Sequence, residues 1–184
     1  MSERPAPLTP PECRLQGASE MPAHIERFRR SKLYFTSSDA AFRAGLALMC
    51  ASWLLQPAAS LPNNDRALAY YAGLGPSLRR WRNLRERALA DWRLCSDGRW
   101  YHPELAAAAC EAWLEQCLKA GCSALRRGRS ISWIVSDVTA ALDHVGASRS
   151  RTVTRARAWL SRHALRAFED VPVVFQQPGS AALQ

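Results

Sequence analysis

The chain has 184 residues, 48% of them hydrophobic and 22% charged. That length holds one medium domain or two small ones, and the composition excludes a chain disordered throughout. Its 25 basic and 16 acidic residues leave a net charge of +9, nearly all of it from arginine. An excess of this size favours a polyanionic partner, and arginine suits bidentate contact with phosphate or guanine. The bland alternatives are a soluble basic protein and the Arg/Ala bias of a GC-rich genome.

Six cysteines occur, Cys13, Cys50, Cys95, Cys110, Cys117 and Cys122, and none forms a Cys-x-x-Cys pair. His102, Cys110 and Cys117 match no standard ligand spacing, so small buried hydrophobes are expected, with no metal and no cofactor. The first twenty residues lack an apolar run, so no signal peptide is read and a cytoplasmic location is expected. The apolar run 40–55 contains Arg43 and falls short of the ~20 residues a membrane span needs. It reads as a core helix, and no membrane contact is expected.

Residues 1–22, with Pro5, Pro7, Pro10 and Pro11, read as a flexible tail. The basic and aromatic segment 24–35 has no clear secondary structure. Ser37, Ser38 and Asp39 offer caps for a helix running to about Leu55, with Phe42, Leu46, Met49 and Trp53 inward. Pro57 and Pro62 punctuate a loop. Asn63-Asn64-Asp65 then caps a helix over 66–72, with Leu68 and Tyr71 or Ala72 inward. Gly73 and Gly75 suit a turn at positive φ, and Pro76 suits the start of the next helix.

That third helix runs to about Ala90. Its apolar stripe is Leu78, Trp81, Leu84 and Ala88; Arg79, Arg80, Asn83 and Arg87 fall on the other side, with Arg82 flanking. Asp97-Gly98 between two short aromatic segments predicts a β-hairpin over 92–102. Pro103 starts an alanine-rich helix to about Leu118. The stretch 119–130 reads as a basic linker carrying Arg126, Arg127 and Arg129. Beyond it, Ser136-Asp137 caps a helix with Val138, Leu142 and Val145 on one face. A turn at 145–147 leads to a longer helix with Val153 and Ala156 inward and Arg151, Arg155, Arg162 and Arg166 outward.

The succession of an apolar helix ending in Trp53, then "SLPNNDRALAYYAGLG", an Arg/Trp helix and "CSDGRWYHPEL" resembles the YdaU-like family. These are proteins or domains of unknown function, found largely in prophages and phage-derived regions. The family's Leu-Pro-Asp-Asp-Asp is here Leu61-Pro62-Asn63-Asn64-Asp65, which keeps capping oxygens and removes negative charge. Asp97, Gly98, Arg99, Trp100 and His102 match the family's turn and strand, and the likeness covers roughly residues 24–115. It implies a winged-helix domain resembling phage replication-initiation modules, and it brings no catalytic residues.

The expected fold is therefore mainly α: a winged helix-turn-helix domain over 23–118 with a small β-hairpin wing, a linker over 119–130, a second smaller helical domain, possibly also winged helix-turn-helix, over 131–176, and a tail over 177–184. In a helix-turn-helix the second helix enters the major groove with its N-terminal residues at base edges. That places Ser77, Arg79, Arg80 and Asn83 nearest the bases and Arg87 on phosphate. The alternative is a solvated charged face. Arg93 and Arg99 in the hairpin are candidates for backbone contact. Trp92, Trp100 and Tyr101 are candidate stacking platforms, although alternating strand aromatics are more often core. The basic residues Arg126, Arg127 and Arg129, and then Arg149, Arg151, Arg155 and Arg162 at a second turn and helix, form a second candidate surface. A dimerisation or docking helix is the alternative there.

His24, His102, His144 and His163 are scattered, and no Gly-rich phosphate loop or nucleophile elbow is present, so no enzyme is expected. The expected function is duplex DNA binding in a phage or mobile-element setting, in replication initiation or transcriptional control. Its rivals are a protein–protein adaptor that recruits a replication or nucleoprotein machine, and a small RNA-binding subunit.

Overall fold

The computed structural model describes residues 4–15, 17–18, 20–22 and 24–119, and beyond them 136, 138–140, 151, 153–154 and 158. The described residues are mainly helical, with one small three-stranded antiparallel sheet. In chain order they form α1 (Ile25–Arg29), α2 (Lys32–Thr36), α3 (Asp39–Leu54), β1 (Ser60–Pro62), α4 (Asp65–Tyr71) and α5 (Leu78–Ala88). Then follow β2 (Arg93–Leu94), β3 (Arg99–Tyr101) and α6 (Pro103–Lys119).

Ser38 caps α3, its hydroxyl accepting from the Ala41 amide at 3.4 Å. The helix is apolar nearly all round, which blurs its periodicity. It buries Ala41, Ala44, Leu48, Met49 and Trp53, leaves Phe42 half-buried and exposes Leu46, so the core face is turned relative to the one expected. At the α4–α5 turn Gly73 and Gly75 adopt φ of 71° and 59°, the left-handed region a side chain would disfavour. The helix after it begins at Leu78 with Ser77 as N-cap, so Pro76 belongs to the turn and not to the first helical position.

The sheet order is β1-β3-β2. The hairpin lies where the Asp-Gly turn predicts it, with Gly98 at φ 76° and its amide donating to the Cys95 carbonyl at 3.0 Å. The segment expected to be a loop before α4 contains a strand instead. Ser60, Leu61 and Pro62 pair with Tyr101, Trp100 and Arg99, and β2 covers the other edge of β3 through Arg93 and Leu94. Pro62 sits at the end of this short edge strand, where a missing N–H is tolerated.

The core gathers Leu48, Leu61, Leu68, Trp81, Tyr101 and Leu114, all fully buried. The N-terminal segment corrects the expectation of a flexible tail. Leu8, Cys13 and Leu15 are buried in this core. The Thr9 hydroxyl donates to the Ala58 carbonyl at 2.9 Å, the Ala58 amide to the Cys13 carbonyl at 2.8 Å and the Ser96 amide to the Pro5 carbonyl at 2.9 Å. Prolines without a free N–H suit such an extended strap, whose hydrogen bonds go to other segments.

Val138 and Val153, on the expected inner faces of the second helical unit, are buried within the same hydrophobic cluster. Of that unit only Ser136, Val138, Thr139, Ala140, Arg151, Val153, Thr154 and Ala158 are described; its other residues, and the 119–130 linker apart from Lys119, lie outside the described residues.

Candidate nucleic-acid interface

The turn and helix α5 set the candidate site. Trp81 and Ala88 are buried on one side of α5, with Leu78 and Leu84 half-buried beside them. Arg79, Arg80, Arg82, Asn83 and Arg87 are exposed on the other, and Ser77 is half-exposed at the cap, its hydroxyl making no capping bond. The 3.6-residue period thus delivers the arginine face where the sequence places it. None of these four arginines forms an ion pair among the described residues, and Glu86 is the only carboxylate in the helix. Their mutual repulsion stands unneutralised, a cost that an anionic partner would remove.

Arg85 has a different role. Its Nε donates to Asp65 Oδ1 at 3.0 Å, and its guanidinium carbon lies 5.5 Å from the centre of the Trp100 ring. The same Asp65 oxygen accepts from Trp81 Nε1 at 3.0 Å. The ion pair is more than a third exposed on both sides, so its own worth is about 0–1 kcal/mol. The indole bond matters more, because Trp81 is fully buried and its N–H would otherwise lack an acceptor.

The three residues read together as caps have three separate functions. Asn63 Oδ1 accepts from Trp100 Nε1 at 2.9 Å and ties the α4 entry to β3. Asn64 is the true N-cap, accepting from the Arg66 and Ala67 amides at 2.9 and 3.2 Å. Asp65 orients α5. Periodicity gives no signal for Asp65 or Arg85, whose partners lie 16 and 20 residues apart across a turn.

In the hairpin, Arg93 is exposed without an ion pair among the described residues, while Arg99 is half-buried and its Nε donates to Ser60 Oγ at 2.9 Å. Arg99 therefore closes the β1–β3 seam and presents less of its charge outward than expected. Asp97 accepts from the Arg99 amide at 3.0 Å and from the Tyr101 hydroxyl at 2.7 Å, fixing the turn. Burial and this bond push the Tyr101 hydroxyl above its usual range. Trp92 and Tyr101 are buried and Trp100 is half-buried with its N–H engaged, so these aromatics pack the hairpin onto the core. Of the second candidate surface, Arg151 is helical and exposed. Arg126, Arg127, Arg129, Arg149, Arg155 and Arg162 lie outside the described residues.

His102 is buried beneath the hairpin. Its Nδ1 accepts from the Leu105 amide at 3.4 Å at the start of α6, and its ring meets Trp92 edge-on with centroids 5.3 Å apart. Burial lowers its pKa to about 4, against a smaller opposing pull from Asp91. The imidazole is thus a neutral structural acceptor. Cys13, Cys95 and Cys110 are buried free thiols, as expected, whereas Cys50 is exposed. Burial first, then neighbouring acidic side chains, pushes Cys95 up to about 11 and Cys110 up to about 12.

Among the described residues no group of three or more His, Cys, Asp or Glu side chains could hold a metal ion, and no helix is long and apolar enough to cross a membrane. No protein-family model, no curated protein and no solved structure matches the chain.

Proposed function

We propose that residues 39–101 form a winged helix that binds duplex DNA with α5 in the major groove. The element order helix, strand, helix, helix, strand, strand and the sheet order β1-β3-β2 support that connectivity. The observation that carries the reading is the set of four exposed, unpaired arginines on the second helix of a helix–turn–helix pair. Arg79, Arg80 and Asn83 face base edges, Arg87 neutralises phosphate, and Arg93 reaches the backbone from the wing. The protein acts by docking, without turnover. The resemblance to the YdaU-like family adds a phage or mobile-element setting, with replication initiation or transcriptional control as the process.

The test is a titration of fluorescent duplex DNA at several salt concentrations. Arg79→Ala with Arg80→Ala should weaken binding through lost base contacts, and Arg87→Ala, which removes a phosphate contact, should reduce the slope of log K against log salt by about 0.9. Equal affinity and slope in these variants and the parent protein would remove α5 from the interface.

A further inference from the structure

At the opposite end of α5 from Arg79 lies a concave surface, a cleft of about 500 Å³. It is built by the α1–α2 junction, the chain from Ala90 to Arg93 that leaves α5, and the start of α6. Its apolar lining is Phe28, Leu33, Met49 and Trp92. Around it stand Arg27, Arg30, Lys32 and Arg93, all exposed and none in an ion pair among the described residues. The two carboxylates in the cleft are Asp91 and Glu104. Those of Asp91 are already occupied, accepting from the Lys32 and Leu33 amides at 3.3 and 3.0 Å and so fixing α2 against the end of α5.

The cleft therefore combines an apolar floor with a net positive rim. A volume of this size takes one or two side chains or a small organic group, because ligand sites typically span about 300–1,000 Å³. A DNA duplex is too wide to touch its floor. Arg79 and the C-terminal residue Ala88 are separated by about 14 Å along the helix axis, which places this surface away from the base-reading end of α5.

We propose that this cleft is a docking site for an acidic peptide segment of a partner protein, with an apolar side chain seated on Phe28, Leu33, Met49 and Trp92. Carboxylates flanking that anchor pair with Arg27, Arg30 and Lys32. Charge complementarity selects the partner and the apolar floor supplies the anchor. This site stands independently of the DNA reading: an acidic partner segment is recruited at one end of α5 while the other end stays free. The arginines at the two ends have opposite uses, one set meeting phosphates and the other meeting carboxylates.

The probe is a fluorescein-labelled peptide of the repeat Asp-Glu-Phe-Asp-Glu-Leu, followed by anisotropy on the full chain. Arg27→Glu with Arg30→Glu should weaken its binding about tenfold or more, since charge reversal leaves like charges facing across the contact. Both residues are exposed, so the fold should survive, and an unchanged thermal melt checks this. Lys32→Glu provides a second variant, with the same direction expected. Replacing Phe and Leu in the probe by Ser should abolish binding, while the Arg79→Ala, Arg80→Ala variant should bind the parent peptide as before. Equal binding of the Ser peptide reduces the site to non-specific charge and overturns the proposal. Unaltered binding in the Arg27/Arg30 and Lys32 variants also overturns it. So does tighter binding of a single-stranded oligonucleotide that is lost in the same variants, because the cleft would then be a nucleic-acid site.

Discussion

Arg80 and Arg85 sit five positions apart on one helix and have opposite roles. Arg80 is exposed with no ion pair among the described residues, as are Arg79, Arg82 and Arg87. Arg85 is bound to Asp65 and lies over Trp100, part of the joint that holds α4, α5 and the sheet together. A count of arginines along α5 treats them alike. The difference comes from what each meets on its own side, and it separates charge that builds the domain from charge left exposed to solvent.

Lowering the pH gives the largest expected effect and isolates the buried layer from both arginine sets. His102 gains its proton near pH 6.5 in the unfolded chain and only near 4 in the folded protein. Between those values the unfolded state binds more protons, so stability falls as pH falls. The contribution is complete above about 6.5 and fully lost below about 4, a change of about 3 kcal/mol. Urea unfolding at pH 7.5 and 4.5 measures it. In His102→Asn, which keeps a capping oxygen and does not titrate, that part of the pH dependence should vanish; an unaltered loss would assign it elsewhere.

The middle effect belongs to the locked side. Asp65→Ala leaves the Trp81 N–H without its acceptor in the core and releases Arg85, so it should cost about 1–3 kcal/mol by urea unfolding. A cost below 0.5 kcal/mol, the usual range for inert surface positions, would dissolve the distinction between Arg85 and its neighbours. The smallest effect belongs to the free side. Arg80→Ala should change stability by less than about 0.5 kcal/mol, and relief of repulsion with Arg79 makes a slight gain as acceptable as a slight loss. A loss of more than 1 kcal/mol would mean that Arg80 is structural after all.

Much of this layout was legible in the residues. The outward face of α5 follows from its helical period, the Gly turn from two residues that tolerate positive φ, and the hairpin from Asp97-Gly98 between alternating aromatics. Strand β1 was not legible: three residues ending in proline carry no alternation, and their partners on β3 lie far along the chain. The inward face of α3 was misread because an apolar helix offers several plausible stripes, and only its neighbours choose among them. The Asp65–Trp81–Arg85 joint escaped for a related reason, since a polar contact across a turn has no sequence period. The cleft likewise depends on α1, α2 and the end of α5 meeting in space. The proline-rich segment near the N-terminus was misread because composition describes what a chain does alone, and its burial depends on the surface it lies against.

That segment sets an order of assembly. Leu8 offers its carbonyl to Cys110 Sγ and the Ala109 carbonyl accepts from Cys13 Sγ, contacts spanning 102 and 96 residues of sequence. This segment is therefore made well before α6, which completes the surface it lies on. During synthesis the cover over Leu8 and Leu15 is incomplete until α6 emerges, and closing that long loop completes the core.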